Sequence, residues 1–383
     1  MPFQVWACGG ARFLDRLWAQ LIDQKLLDRI IAAKEVLQNV LWHFYKNLKR
    51  FLMKKSFFIV VLLVCAFAVA FAQPQTEQVL TVYAYDSFTS DWGPGSAIVE
   101  AFEAKTGIKV NLVGASGAVE MYSKVVYEGD SCPADVVIGI SDSIEVNQDL
   151  FLDWTPECMD SLSVGKNGNL VPFDYGYFAF IADTEYFKDH DLPTYLEDLT
   201  KPEFKDKVIL IDPRTSSVGL GLLVWTIEAL GEDEAFSWWE DMKDNALTIG
   251  DSWSSSYGLF TEGEAPLVIS YTTSPVYHVL YEDTTRYQAL DFTDGHVHTT
   301  EYLGILKTSK NVEAAKLFCE FVLNEGQADI AVANTMFPAN SSVELPDAFE
   351  YALVPTKTIE YDQHDFISKS DEYLTRWAQT MVL

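Results

Sequence analysis

Val79-Leu80-Thr81-Val82-Tyr83-Ala84-Tyr85-Asp86-Ser87-Phe88 decides how this 383-residue chain is read. Its first seven residues alternate in part and are rich in β-formers, which predicts a strand. A polar turn follows from Asp86 to Gly95. Ile98, Val99, Ala101 and Phe102 then predict a helix. Lys109-Val110-Asn111-Leu112-Val113 reads as a second strand, Val119–Glu128 as a helix, and Ala134-Asp135-Val136-Val137-Ile138-Gly139 as a short buried strand. Strand, helix, strand, helix, strand implies a parallel sheet with helices on both faces.

The pattern then restarts. Phe173–Ala182, Lys207–Ile211 and Leu267–Tyr271 read as strands. A helix is predicted through Leu220, Leu222, Leu223 and Trp225, and another over residues 311–332. The fold class is therefore α/β, two blocks forming two lobes around a cleft. Ligands of open α/β sheets gather at the carboxyl ends of the strands. The segments following these strands, Tyr85–Trp92, Gly114–Ala118, Asp212–Ser217 and Tyr271–Ser274, are rich in aromatics, hydroxyls and glycine.

An apolar content of 49% is ample for large cores and excludes a wholly disordered chain. Met53-Lys54-Lys55-Ser56 precedes an unbroken apolar run, Phe57–Ala72, that exits through Ala70-Phe71-Ala72. A basic start, an apolar middle and a small-x-small exit read as a secretory signal peptide at 53–72, cleaved after Ala72. The alternative is a membrane anchor, for which the run is short of the ~20 residues a spanning helix prefers. Residues 1–52 carry apolar side chains near helical spacing among Arg and Lys. They read as a mis-set start ahead of Met53 rather than a membrane-surface extension. The net charge of −29 becomes more negative without this basic stretch. Such a surface repels nucleic acid and anionic membrane and favours cations, although solubility alone would explain it.

Beyond residue 72 the cysteines are Cys132, Cys158 and Cys319, too few for a disulfide framework. A Cys132–Cys158 pair is open, and Cys319 falls in a helical core pattern. His296-Val297-His298 places two imidazoles on one face of a strand with no third ligand, and reads as surface strand rather than a metal site. No P-loop, G-x-G-x-x-G, G-x-S-x-G or H-E-x-x-H pattern is present.

Three segments carry candidate binding chemistry. Tyr85 and Trp92 supply flat faces that stack on rings and attract cations, though strand-end tyrosines are commonly core. Ser216 and Ser217 precede an apolar helical run, where hydroxyls either cap the helix or leave its N-terminus to an anion. Trp253 in Gly250–Ser254, and the loop Tyr271, Thr272, Thr273, Ser274 with Tyr277, combine aromatics with hydroxyls. Such a loop holds polar ligand groups or satisfies its own backbone.

Together these strings resemble the bacterial periplasmic thiamine-binding proteins. The likeness rests on Val79–Phe88 with Asp91-Trp92-Gly93-Pro94-Gly95, on Val171-Pro172-Phe173-Asp174-Tyr175-Gly176-Tyr177-Phe178-Ala179-Phe180, on Asp212–Ser216, and on Ser270–Pro275. It runs from about residue 79 to about residue 340. The resemblance implies a type II periplasmic-binding fold with a hinge and an inter-lobe cleft. Expected lobes are 79–172 with about 279–345, and 173–278, followed by a helical segment at 346–383. It implies a periplasmic, monomeric, non-enzymatic protein without cofactor. Thiamine or its mono- and diphosphate esters would be the ligand, passed to an ABC transporter permease in the inner membrane.

Carried over by position, Ser216, Ser217, Trp253, Tyr271, Thr272, Thr273 and Ser274 match ligand-contacting residues. Tyr85, Trp92 and Tyr277 match aromatics of the site. Two places depart. Gly117 and Ala118 stand where the family has Asp-Gly, and Thr335 stands where it has a Trp before Met336-Phe337-Pro338. Two rivals are a polyamine or other cation binder of the same fold, and a thiamine-degrading enzyme with Cys132 as nucleophile.

Overall fold

The computed structural model describes residues 79–381. The leader at 53–72, the segment 1–52 and the last two residues of the C-terminal segment lie outside the described residues. A first block comprises β1 (Val79–Tyr85), α1 (Asp86–Thr89), α2 (Gly95–Thr106), β2 (Lys109–Ala115), α3 (Ala118–Glu128) and β3 (Val136–Ser141). After β4 (Val171–Asp183) comes a second. It comprises β5 (Val208–Ile211), α4 (Ser217–Leu230), α5 (Glu232–Asn245), β6 (Ala246–Gly250), α6 (Trp253–Thr261), β7 (Leu267–Tyr271) and α7 (Pro275–Tyr281). The chain returns through β8 (Tyr287–Ala289) and β9 (His296–Ile305) to α8 (Val312–Leu323), α9 (Gln327–Asn334), β10 (Phe337–Pro338), β11 (Thr358–Ile359) and α10 (Gln363–Met381).

The strands order as β2-β1-β3-β9-β4-β7-β5-β6. β1 is parallel to β2 and β3, and β5 is parallel to β6 and β7. Every residue of β3 and β5 is buried, as strands covered on both faces must be. β9 and β4 run antiparallel between the two parallel blocks. The first half of β4, Val171 to Tyr177, pairs with β9, and its second half, Phe178 to Ala182, pairs with β7. One 13-residue strand therefore belongs to both lobes of this α/β fold.

Two expectations change. The predicted helix over residues 311–332 is two helices, α8 and α9, broken at Asn324-Glu325-Gly326. The break lets Gly326 approach α2, where a Cβ would sit 2.7 Å from Ile98. His296 is not on the surface. It is fully buried, accepts from the Phe292 N–H at Nε2 (2.9 Å) and donates from Nδ1 to the Phe178 carbonyl (2.8 Å). An imidazole pinned at both nitrogens joins β9 to β4 and is spent as a structural bond. His298 is half-buried and stacks on Tyr175. The helical C-terminal stretch packs by α10 on α5, Trp377 lying edge-on to Trp239 at 5.9 Å.

Candidate ligand-binding site

The loops at the carboxyl ends of β1, β2, β5 and β7 meet at a cavity of about 220 Å³. Tyr85 enters from the last position of β1, and Asp86 follows it. The Tyr85 ring is seated over Gly139 in β3, where the backbone adopts φ +97° at a bulge against β9. A Cβ at Gly139 would lie 2.1 Å from the ring, so only glycine leaves room for this tyrosine. Gly117 precedes α3 and touches the opposite loop: a Cβ there would stand 2.5 Å from the Thr215 carbonyl.

Across the cavity, Ser216 caps α4, its hydroxyl accepting from the Val218 N–H at 3.2 Å. Ser217 and the first turn of α4 lie beside it on the wall. Free N–H groups at that end carry partial positive charge. Arg214 faces elsewhere, paired to Asp212 and lying 5.3 Å over the Trp377 ring.

One wall is aromatic. Trp253 starts α6, whose N-cap is Ser252. It stacks on Tyr257 one turn later, with centroids 4.8 Å apart and planes at 19°, and meets Trp92 at 5.8 Å. Its indole N–H donates to Ser270 Oγ at 2.7 Å, and Ser270 is 2.7 Å from Ser274 Oγ. Behind this stack, Tyr257 O–H meets His278 Nε2 at 3.0 Å, and His278 Nδ1 meets Glu282 at 2.7 Å. Burial holds the His278 pKa below its usual value. A neutral imidazole has one donor and one acceptor. Nδ1–H therefore donates to the carboxylate, and Nε2 accepts from the tyrosine. The chain of bonds fixes the orientation of the ring stack.

The floor is acidic. Tyr85 O–H donates to Glu301 Oε2 at 2.6 Å, and Asn334 Nδ2 donates to Asp174 Oδ2 at 2.7 Å and to Tyr85 at 3.0 Å. Burial, and then the mutual repulsion of the two carboxyls, raise Asp174 well above the carboxylate range. Glu301 is likewise raised, first by burial. Nearby Asp142 accepts from the Thr300 N–H and the Thr299 hydroxyl, yet burial pushes it up to about 7.

Of the residues singled out in the sequence, ten line this cavity: Tyr85, Trp92, Gly117, Ala118, Ser216, Ser217, Trp253, Tyr271, Ser274 and Tyr277. Thr272 and Thr273 do not. Both are fully buried; the Thr272 N–H bonds the Tyr177 carbonyl and the Thr273 hydroxyl packs on Met336 sulfur. Thr335 and Met336 line the cavity, Thr335 at φ +47°. Asp86, Tyr257, His278, Glu282, Glu301 and Asn334 also line it, and none of them was among the expected site residues. Glu301 did leave a signal, a carboxylate at the centre of the otherwise uncharged run Val297–Ile305 apart from His298.

Cys132, by contrast, is not in the cavity lining, and burial pushes its thiol up to about 11. All three described cysteines are free. Among the described residues no group of three or more metal-ligating side chains converges. No helix among them is long and apolar enough to cross a membrane.

A cleft at the strand ends of two α/β blocks, bridged by shared strands, defines a solute-binding protein. The family model of bacterial extracellular solute-binding proteins matches residues 147–369. The thiamine-binding periplasmic protein of Salmonella typhimurium is 37% identical over 330 residues, covering 85% of this chain and 98% of that one. That of Escherichia coli is 36% identical over 327 residues, covering 84% and 97%. A solved periplasmic thiamin-binding protein superposes with a TM-score of 0.75 at 35% identity, over 81% of this chain and 98% of that one. The chain belongs to the thiamine-binding periplasmic protein family. Iron-bound HitA from Pseudomonas aeruginosa, at 22% identity and a TM-score of 0.64, shares the fold.

Proposed function

We propose that the protein captures thiamine outside the cytoplasm and delivers it to the membrane permease of an ABC importer. One observation carries the reading. The cavity is walled by Tyr85, Trp92, Trp253, Tyr257, Tyr271 and Tyr277, carries the carboxyls of Asp86, Glu282 and Glu301, and has no lysine or arginine in its lining. Flat π-faces with negative charge suit a flat, permanently cationic thiazolium joined to a second ring. Each well-placed aromatic face contributes roughly 0.5–2 kcal/mol.

The twelve positions Tyr85, Trp92, Gly117, Ala118, Ser216, Ser217, Trp253, Tyr271, Thr272, Thr273, Ser274 and Tyr277 are the proposed site. Thr272 and Thr273 act through backbone and packing rather than by facing the ligand. The hydroxyethyl end, or a phosphate in the mono- and diphosphate esters, would lie toward Ser216 and Ser217 at the start of α4. The lobes close by bending where β4 and β9 cross, near Tyr177-Phe178 and His298, with 79–172 and about 279–345 moving against 173–278. β8 is the exception within 279–345: its pairing with the second half of β4 favours its moving with 173–278. Relatives whose names place them in the periplasm, and the leader read at 53–72, support export to the periplasm.

Calorimetric titration of the purified protein with thiamine, its two phosphate esters and spermidine tests this. Saturable one-to-one binding of thiamine, well below its millimolar range, is expected. Binding of spermidine alone would replace the vitamin with a polyamine.

A further inference from the structure

We propose that Glu301 and Asp174, beneath the aromatic cavity, hold one shared proton in the empty protein and release it when a cationic ring enters, so that Glu301 selects for permanent positive charge. The inference rests on the thiamine reading and deepens it.

The geometry begins with register. Asp174 in β4 and Glu301 in β9 are directly opposed partners on the antiparallel ladder. Like charges directly opposite one another in a sheet are destabilising. Both side chains are buried, Asp174 completely and Glu301 to 5% exposure. Glu301 reaches the cavity wall; Asp174 lies behind it. The side chains around them come from several elements: Tyr85 from β1, Tyr271 from β7, Asn334 from α9 and Asp142 after β3, while β10, paired with β4 at Asp174, brings Pro338. None of these is a cation. Tyr271 is itself raised, by burial and then by the charges of Glu301 and Asp174. One oxygen of Asp174, Oδ1, is buried with no hydrogen-bond partner, which a carboxylate can tolerate only at high cost. A single proton on the pair relieves the repulsion, and placed on that oxygen it removes the buried negative charge there. Two carboxyls so arranged titrate as a unit.

A cation above Glu301 reverses the balance. It favours the doubly ionised pair, lowering its pKa. The proton leaves to solvent as the positive charge arrives, and the buried site keeps its net charge. A neutral ring of the same shape gains the stacking but leaves the proton in place. Charge discrimination then lies in the floor, and ring shape is read by the Trp253 wall.

The test is isothermal calorimetry of the wild-type protein with thiamine in buffers of different ionisation enthalpy, with affinity followed across neutral pH. The expected result is release of a substantial fraction of one proton. Affinity should rise with pH by up to about tenfold per unit while the pair titrates. A neutral thiophene analogue of thiamine should release none. Glu301→Gln, which keeps an acceptor for Tyr85, should abolish the buffer dependence and flatten the pH profile. Thiamine binding with no buffer dependence in the wild type overturns the proposal and leaves the thiamine reading standing. So does a protein carrying both Glu301→Gln and Asp174→Asn that still releases the proton, which would place it on Asp142 or Asp86. Absence of thiamine binding at any pH would sink the functional reading itself. Should Glu301→Gln fail to fold, the wild-type comparison of thiamine with its neutral analogue decides alone.

Discussion

Replacing Trp253 with alanine removes the central plate of the aromatic wall. The ring stacks on Tyr257 at 4.8 Å, touches Trp92 at 5.8 Å and is held by its 2.7 Å bond to Ser270. Its removal costs the ligand one stacking and cation–π partner, about 1–2 kcal/mol in a partly desolvated site. That energy corresponds to a loss of roughly fivefold to thirtyfold in affinity. Removal also frees Tyr257 to tilt, taking with it an aromatic pair worth about 0.5–1.5 kcal/mol to the fold. Trp253→Phe helps to separate the two effects, because it keeps a smaller stacking face while losing the bond to Ser270. Thiamine calorimetry at fixed pH, with thermal melting of each variant, reads both quantities. Trp253→Ala should bind at least about fivefold more weakly, with Trp253→Phe between it and the wild type. A folded Trp253→Ala protein with wild-type affinity would refute the assignment of this wall to the ligand.

Gly139→Ala drives a methyl into the Tyr85 ring at a positive-φ position, so it should cost about 1–3 kcal/mol in denaturant unfolding and weaken thiamine binding through Tyr85. Gly117→Asp restores the family's carboxylate, but its Cβ meets the Thr215 carbonyl; weaker binding, not stronger, is expected by calorimetry. Asp142 is raised to about 7 in the folded protein against 3.8 in its ordinary state, so its ionisation opposes folding. The destabilisation is absent below pH 3.8, grows between about pH 3.8 and 7 and is level above; Asp142→Asn should therefore gain melting temperature relative to wild type as pH increases from about 4 to 7, with no further gain by about 8. An unchanged difference across that range would contradict the assignment.

The parallel blocks were legible because strand β-formers and helical spacing are local signals, as in Val79–Tyr85 and Val119–Glu128. The break between α8 and α9 was not, because it depends on Gly326 meeting Ile98 from a distant helix. His296 looked like surface, since the alternation of β9 does not say that Phe178 and Phe292 will close over both ring nitrogens. At the site, aromatic and hydroxyl loops could be picked out by family likeness. The acidic floor could not, because Glu301 and Asp174 meet only through the register of β4 against β9. Thr272 and Thr273 follow Tyr271 in the loop but are fully buried, because the strand end that turns Tyr271 into the cavity turns them inward.

The sharing of β4 has a consequence for how the polypeptide reaches its final state. The first block remains an open edge until β9 inserts between β3 and β4, and β9 begins only at His296. Most of the sequence must therefore be made before the first block can close, and pairings so far apart along the chain form slowly. A chain halted before His296 would leave β3 without its partner on that side.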